Sequence, residues 1–325
     1  MKRVLSGVQP SGQPHLGNYL GAMLRHVAHQ EEFESFIFLA NYHALTTIRD
    51  GERLRELTRE LAIDYLAIGL DPEKTVLFRQ SDVPEHTELA WILSCITPLG
   101  LLERCHAWKD AQNKGKKDIS AGLFTYPILM AADILIYKPD LVPVGKDQKQ
   151  HVEVARDIAE KFNHLFGETF PLPEPNINEE VQTVIGTDGE KVSKSYNNTI
   201  ALFGTDQELK KQVMSVVTDS TPIEDPKDPE KCNVFKLYSY FATDNETENL
   251  RDKYTAGGFG YGDAKKALLE KLLKILGPAR QKRVELEKKL DYVEEVLQAG
   301  AQNARQVAHK TLNEVREKVG LTSQS

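Results

Sequence analysis

The first 200 residues alternate short apolar runs with amphipathic stretches, and this alternation constrains the fold more than any other feature. Apolar runs at residues 4–8, 36–40 and 75–79 predict three strands. Between the second and third runs, residues 52–70 carry apolar side chains at three- and four-residue spacing, which predicts a crossover helix. This alternation of strands and helices predicts an α/β domain around a parallel sheet. Its strand–helix–strand units are expected to be right-handed.

The rest of the chain is predicted to be mainly helical. Residues 82–137 favour helices, including one at 126–137, and residues 141–144 form a short buried strand that leads into a helix at 148–165. From about residue 206 the pattern is helical, with a possible strand at 233–235. A length of 325 residues allows two cores. We therefore expect one domain at residues 1–200 and a helical domain at residues 201–325.

Composition excludes several classes of protein. No apolar run approaches the roughly 18 residues of a membrane span, and the N-terminus does not resemble a secretion signal, so we expect a cytoplasmic protein with no membrane role. Three cysteines without C-x-x-C spacing are expected to be reduced and buried.

The formal net charge is −7, but residues 265–289 hold nine Lys or Arg against three Asp or Glu. That stretch could meet phosphates, although a solvated helix face gives the same pattern.

A turn-rich loop follows the first predicted strand and precedes a predicted helix at His15-Leu16-Gly17-Asn18. The start of such a helix offers backbone N–H groups and a positive end to a polyanion. Gly17 would let a flat ring lie against the backbone, while His15 and Asn18 could donate to phosphate oxygens. Alone, these four residues more often mark a helix cap with a surface histidine.

A second loop, Asp188-Gly189-Glu190-Lys191-Val192-Ser193-Lys194-Ser195, places two lysines three residues apart after an Asp-Gly turn. Flexible lysines can follow negative charge as it builds on a departing pyrophosphate. A solvated basic loop is an equally good interpretation of this segment by itself.

Together, the two loops resemble the HIGH-type and KMSKS-type signatures of class I aminoacyl-tRNA synthetases, and more closely those of bacterial-type tryptophanyl-tRNA synthetases. The resemblance covers nearly the whole chain. It is carried by Ser6-Gly7-Val8-Gln9-Pro10-Ser11-Gly12, His15-Leu16-Gly17-Asn18-Tyr19-Leu20-Gly21-Ala22, Asn41-Tyr42-His43-Ala44, Met130-Ala131-Ala132-Asp133-Ile134-Leu135, Val142-Pro143-Val144-Gly145-Lys146-Asp147-Gln148-Lys149-Gln150-His151 and Val217-Thr218-Asp219-Ser220.

The resemblance implies a fold and an activity. The fold is a Rossmann-type doubly wound parallel sheet with a helical insertion, followed by an all-helical anticodon-binding domain whose last helix packs back on the catalytic domain. The implied enzyme is a tryptophan–tRNA ligase. It activates L-tryptophan with ATP and Mg²⁺, releases pyrophosphate, and transfers the tryptophanyl group to the 3′ end of tRNA(Trp). A homodimer is also implied.

The resemblance also implies site residues. For tryptophan, Asp133 would accept the indole N–H, and Tyr126 and Gln148 would hold the ammonium group. The other tryptophan-binding residues would be Gly7, Gln9, His43, Met130, Val142 and Val144. For ATP, the matching residues are Gln9, Pro10, Ser11, Gly17, Asn18, Gly145, Lys146, Asp147, Ile185, Lys191, Val192, Ser193, Lys194 and Ser195. The catalytic residues would be His15, Asn18, Lys191 and Lys194.

No residue is predicted to bind a structural metal. Some relatives hold an iron–sulfur cluster on four cysteines near the anticodon domain, but only Cys232 lies in that region here, so no cluster is expected.

The chain departs from the family pattern at three places. Val192 replaces the usual Met of the second signature, and Asn18 replaces the second His of the first, as is common in tryptophan enzymes. Relatives often carry a further phosphate-binding lysine where this chain has Ala111. Either Lys114, Lys116 or Lys117 replaces it, or this phosphate contact is lost.

Three alternatives remain open at this stage. A tyrosyl-tRNA synthetase shares the fold and chemistry. A small-molecule nucleotidyltransferase shares a similar first loop but needs no helical RNA-binding domain. A paralogue could bind tryptophan or nucleotide without aminoacylating, although both lysines of the second loop are present.

Overall fold

The computed structural model describes residues 1–115, 119–145, 148–176 and 184–322. The first part of the chain forms, in order, β1 (Arg3–Val8), α1 (Leu16–Asn18), α2 (Leu24–His29), β2 (Glu34–Leu39), α3 (Asn41–Ala44), α4 (Gly51–Ala67), β3 (Thr75–Arg79), α5 (Glu85–Ser94), α6 (Leu99–Glu103), α7 (His106–Asn113), α8 (Ala121–Leu135), β4 (Val142–Pro143), α9 (Lys149–Phe166) and β5 (Pro175–Asn176). The second part forms α10 (Asp206–Met214), α11 (Asn233–Ser239), α12 (Asp244–Ala256), α13 (Tyr261–Leu286) and α14 (Leu290–Lys318).

All the strands are parallel, and the order in which the chain adds them reverses beside β1. β1 pairs with β2, and β2 with β3, all in parallel. On the other side of β1, Leu141 forms a parallel bridge to Val4 and leads into β4, which pairs in parallel with β5. The spatial order is therefore β3-β2-β1-β4-β5, which confirms the predicted doubly wound parallel sheet. The reversal lies between β1 and β4, where sheets of this type bind ligands at the carboxyl ends of their strands.

Both faces of the sheet are covered because successive side chains of a strand point to opposite faces. Ile37 and Leu39 of β2 join a core with residues of α4, α11 and α13. Phe36 and Phe38 join a second core with residues of α5, α8 and α9. The continuous apolar run of β2 is thus buried on both sides, as expected for the interior of a parallel sheet.

The helix predicted to begin at Leu16 is interrupted. After α1, the chain makes a π-helical turn at Tyr19–Met23 before α2 begins. At the start of α1, the His15 ring accepts from the Gly17 N–H at 3.1 Å, and the Asn18 side chain accepts from the His15 N–H at 3.1 Å. A π-helical turn adds one residue to the turn, and a segment this short holds too few apolar residues for the sequence pattern to reveal it.

Two sequence predictions are wrong in this description. The possible strand at 233–235 is part of α11, whose Val234 and Leu237 are buried at helical spacing. Cys95 is exposed at the end of α5, although Cys105 and Cys232 are buried and all three thiols are free as expected.

Helix α14 packs against β3. Its Gly300 lies so close to the strand that a Cβ atom there would be 1.9 Å from the backbone oxygen of Leu77. Ion pairs flank this contact: Arg79 with Glu294 at 2.5 Å and Glu88 with Arg316 at 2.5 Å. The division into two domains remains a prediction. None of the helices within the described ranges combines the length and apolar character that a membrane span requires.

Gly300→Ala should therefore destabilise the protein, because the new methyl group would meet backbone atoms that cannot rotate away. We expect a loss of about 1–3 kcal/mol in the free energy of unfolding. Gly262→Ala, in α13, is the matched control, since a Cβ there meets no atom within 4 Å. Thermal unfolding of the two variants compares them. An unfolding midpoint for Gly300→Ala equal to that of the control would contradict this packing.

Candidate active site

The two loops singled out in the sequence lie together at the reversal point of the sheet. Leu16 donates its backbone N–H to the Ile200 oxygen at 2.9 Å, and Leu202 donates to the Pro14 oxygen at 3.0 Å. His15 forms an antiparallel bridge with Ala201. The segment that follows the second loop is therefore joined to the end of the first loop. This pairing brings together residues that are nearly 190 positions apart in the chain.

The first loop presents hydrogen-bond donors. Because the Nδ1 atom of His15 accepts from the Gly17 N–H, the proton of a neutral His15 ring lies on Nε2. Burial, with the nearby positive charge of Lys194, lowers the pKa of His15 to about 4. The ring is therefore neutral near pH 7 and can donate from Nε2. The amide oxygen of Asn18 is used in the helix cap, so its N–H₂ group is the part that can donate to a ligand.

The second loop is a short hairpin held by Asn198. Val192 donates its N–H to the Val184 oxygen at 3.1 Å, and Gly189 takes a positive φ of 87° in the turn. The buried Asn198 side chain accepts from the Ser193 N–H at 2.8 Å and donates to Asp188 at 2.9 Å and to the Lys191 oxygen at 3.2 Å. Asn198 thus fixes both ends of the loop, and the sequence analysis did not identify it.

The two loops are in direct contact. The Nζ atom of Lys194 donates to the backbone oxygen of Ser11 at 3.2 Å. Burial lowers the pKa of Lys194, against the opposing influence of Asp64. The Val192 side chain lies against Gly17, where a Cβ atom would be 2.4 Å from Cγ1 of Val192. Val192 therefore covers the backbone surface that was predicted to receive a flat ring, and a ring placed there requires Val192 to withdraw.

A second group of predicted residues lies on one face of α8. Tyr126, Met130 and Asp133 are spaced four and three residues apart, which places them along one side of the helix. Asp133 is completely buried, whereas Met130 is half-buried. Helix α8 begins at Ala121 rather than at 126, with Ser120 capping its first turn.

Three side chains donate hydrogen bonds to the Asp133 carboxylate. His43 contacts Oδ2 at 2.7 Å, His86 contacts Oδ1 at 2.6 Å, and the Gln80 amide nitrogen spans both oxygens at 2.8 and 2.9 Å. Burial alone would raise the pKa of Asp133, but the hydrogen bonds from His43 and His86 outweigh it and lower the pKa to about 2. Asp133 is therefore a buried carboxylate that stays ionised at neutral pH.

Gln80 and His86 were missed by the sequence analysis. Gln80 directly follows β3, so the rule that ligands bind at the carboxyl ends of parallel strands could have found it. His86 is a single histidine in the polar first turn of α5 and gives no such signal.

The other predicted tryptophan-binding residues surround Asp133 or line the strand ends. The Tyr126 hydroxyl bonds to Nε2 of His151 at 2.5 Å, and burial raises its pKa to about 12. The rings of Tyr126 and His43 meet edge to face, 6.3 Å apart. Gly7 is needed at the end of β1 because a Cβ there would be 2.4 Å from the Phe38 ring. Val142 is buried, Val144 and Gln148 are half-buried, and Gln9 is exposed.

The remaining predicted ATP-binding residues are only partly described. Pro10 is buried, Ser11, Gly145, Lys191 and Ser195 are exposed, and Ser193 and Ile185 are half-buried. Lys146 and Asp147 lie outside the described residues, as do Lys116 and Lys117. Lys114 is exposed and pairs with Asp110 at 3.9 Å. Within the described ranges, no group of three or more His, Cys, Asp or Glu side chains is placed to hold a metal ion.

Comparison with known proteins agrees with this geometry. Residues 1–277 match the family described as class I tRNA synthetases for tryptophan and tyrosine, and the chain belongs to that family. A tryptophan–tRNA ligase from Fusobacterium nucleatum is 55% identical over 322 residues, covering 99% of this chain and 98% of that protein. One from Rhodopirellula baltica is 54% identical over 319 residues, covering 98% and 99%.

A solved structure is also similar. The tryptophanyl-tRNA synthetase from Campylobacter jejuni, crystallised with ADP and tryptophan, is 51% identical with a TM-score of 0.94, covering 98% of this chain and 99% of that one. The resemblance predicted from the two loops is thus confirmed.

The position of Asn198 gives a test of how the second loop is held. Asn198→Ala removes its hydrogen bonds and should lower the rate of amino-acid-dependent ATP–pyrophosphate exchange about 10- to 100-fold through misplacement of the lysines. Asn197→Gly is the control, because Asn197 is exposed and its φ of 52° suits glycine. Equal exchange rates for the two variants would show that Asn198 does not position the loop.

Proposed function

We propose that this chain is a tryptophan–tRNA ligase, which forms tryptophanyl-adenylate from L-tryptophan and ATP and then loads tRNA(Trp). The observation that carries the proposal is a buried, ionised carboxylate, Asp133, within the same fold as two contacting loops rich in phosphate-binding groups. The names of relatives that are 51–55% identical over nearly their full length support tryptophan as the substrate.

In this proposal, Asp133 recognises the indole N–H. An ionised carboxylate has about four lone-pair positions; His43 and His86 take one each and the Gln80 amide nitrogen contacts both oxygens, so an indole N–H would share the remaining positions with Gln80. Tryptophan supplies that donor on an otherwise apolar ring, while phenylalanine leaves the acceptor unmatched, which gives selectivity. Gly7, Met130, Val142 and Val144 would form the apolar walls. Tyr126 and Gln148 would hold the ammonium group, with His43 and Gln9 nearby.

ATP would lie between the two loops. Gln9, Pro10, Ser11, Gly17 and Asn18 would contact it from the first loop, and Ile185 and residues 191–195 from the second. Gly145, which follows β4, would also contact ATP, and Lys146 and Asp147 are proposed to bind it as well. Mg²⁺ enters with ATP as part of the substrate, held largely by phosphate oxygens and water.

The first step is an in-line displacement. A carboxylate oxygen of tryptophan forms a bond to the α-phosphorus, the bond to the oxygen bridging the α- and β-phosphorus breaks, and pyrophosphate leaves with that oxygen and its electron pair. His15 and Asn18 donate hydrogen bonds to phosphate oxygens, while Lys191 and Lys194 stabilise the charge that builds on pyrophosphate. A hydroxyl at the 3′ end of tRNA then attacks the carbonyl carbon and displaces AMP. No covalent enzyme intermediate is required.

The helical region at 201–325 is proposed to read the anticodon of the tRNA. The enzyme is proposed to be cytoplasmic. Three of the nine Lys and Arg residues at 265–289 pair with acidic side chains from other parts of the protein. Lys271 pairs with Glu246, Arg280 with Asp206 and Arg283 with Asp64. The surface available to tRNA phosphates is therefore smaller than the sequence indicated.

A homodimer is also part of the proposal. The large apolar side chains of Trp91 in α5 and Leu99 in α6 are 72% and 68% exposed. Such residues on consecutive helices suit a self-complementary interface, where aromatic side chains are enriched.

Replacing the proposed phosphate-binding lysine tests the catalytic assignment. Lys194→Ala should lower the rate of tryptophan-dependent ATP–pyrophosphate exchange by roughly 10² to 10³, because one stabiliser of the transition state is lost. Tryptophan binding, measured by equilibrium dialysis, should survive. Lys210→Ala, at an exposed lysine of α10, serves as the control. An unchanged exchange rate in Lys194→Ala would remove this residue from the mechanism.

The dimer proposal has its own test. Trp91→Asp should convert the protein to single chains in sedimentation velocity, because a carboxylate would be buried in an apolar interface. Val284→Asp changes an exposed residue of α13 and should leave the dimer intact. A wild-type protein that sediments as a single chain, or a Trp91→Asp variant that stays dimeric, would contradict the assignment.

A further inference from the structure

A chain of buried hydrogen bonds lies behind Asp133. His86 and Tyr137 have no solvent exposure. Nδ1 of His86 lies 2.6 Å from Oδ1 of Asp133, and Nε2 of His86 lies 2.8 Å from the Tyr137 hydroxyl. The three groups form one line from the carboxylate into the core between α5 and α8.

The protons in this line can be placed from the chemistry of each group. An ionised carboxylate only accepts, so Nδ1 of His86 carries the proton that lies between them. Burial raises the pKa of Tyr137 well above its ordinary value, so its hydroxyl keeps its proton. That hydroxyl can donate to Nε2 of His86, which fixes the ring in the tautomer with its proton on Nδ1.

Gln80 holds the carboxylate from a second direction. Its amide oxygen accepts from the Tyr42 backbone N–H at 3.1 Å, so its N–H₂ end faces Asp133. Asn41 and Ser81 exchange two further hydrogen bonds, of 2.8 and 3.0 Å, which tie α3 to the end of β3. The segments that follow β2 and β3 therefore form one rigid support.

We propose that Gln80, His86 and Tyr137 are positioning residues that hold the plane of the Asp133 carboxylate and thereby set the selectivity for a ring N–H. This inference rests on the proposed function. A carboxylate that could turn would find another partner when a ring without an N–H entered the pocket. A carboxylate held by fixed donors cannot turn, so a ring without an N–H leaves a carboxylate oxygen unpaired at the full free-energy cost.

The selectivity for a ring N–H can be measured with two substrates of nearly equal shape. Tryptophan carries the ring N–H, while β-(3-benzothienyl)alanine has sulfur in its place. The measurement is kcat/KM for ATP–pyrophosphate exchange with each amino acid. We expect the wild-type protein to prefer tryptophan by on the order of 10²-fold or more.

The variants separate positioning from stability. His86→Leu should reduce this preference about tenfold, chiefly through KM for tryptophan, with KM for ATP unchanged. His86→Asn, which can place an amide N–H near the position of Nδ1, should restore the preference to within about threefold of wild type. Tyr137→Phe should fall between the two. Glu88→Gln, on the same helix but outside the network, is the control and should keep the wild-type ratio.

Each result decides the matter. An unchanged ratio in His86→Leu, or equal losses with both substrates, would show that the network only stabilises the fold. If His86→Leu does not fold, an unchanged ratio in Tyr137→Phe carries the same conclusion. A wild-type protein that does not distinguish the two substrates, with Asp133→Ala equally indifferent, would instead overturn the proposed indole contact itself.

Discussion

Two backbone hydrogen bonds, from Leu16 to Ile200 and from Leu202 to Pro14, hold the two loops against each other. These hydrogen bonds lie at the point where the strand order reverses, next to the carboxyl ends of β1 and β4. Two further contacts join the loops, from Lys194 to Ser11 and from Val192 to Gly17. A basic loop elsewhere on the surface could not contribute to catalysis at this site. The second loop lies over the hydrogen-bond donors of the first loop.

The second constraint is a buried charge. A carboxylate without solvent exposure is costly unless hydrogen bonds compensate it, and Asp133 receives donors from three separate segments. His43 follows β2, Gln80 follows β3 and His86 lies in α5. Gly300 of α14 contacts Leu77 of β3, three residues before Gln80, and Arg79, next to Gln80, pairs with Glu294 of the same helix. The last helix therefore supports the strand from which part of the proposed specificity pocket projects.

Much of this arrangement was predictable from local patterns. The sheet, α4 and α9 follow from apolar spacing, and the two loops follow from short motifs. Gln80, His86 and Asn198 did not emerge because their partners are distant in the chain or depend on how a loop closes. The π-helical turn after Asn18 lies in a segment too short for the apolar pattern to reveal it, and the exposure of Cys95 depends on tertiary packing. The apolar run at 233–235 was too short to distinguish a strand from a helix.

The central claim is that this buried carboxylate selects tryptophan for activation by the paired loops. Amino-acid-dependent ATP–pyrophosphate exchange by the purified wild-type protein, measured separately with tryptophan, tyrosine and phenylalanine, tests it most directly. Exchange should depend on tryptophan, with tyrosine and phenylalanine near background. Exchange supported by tyrosine in preference to tryptophan, or no exchange with any of the three, would contradict it.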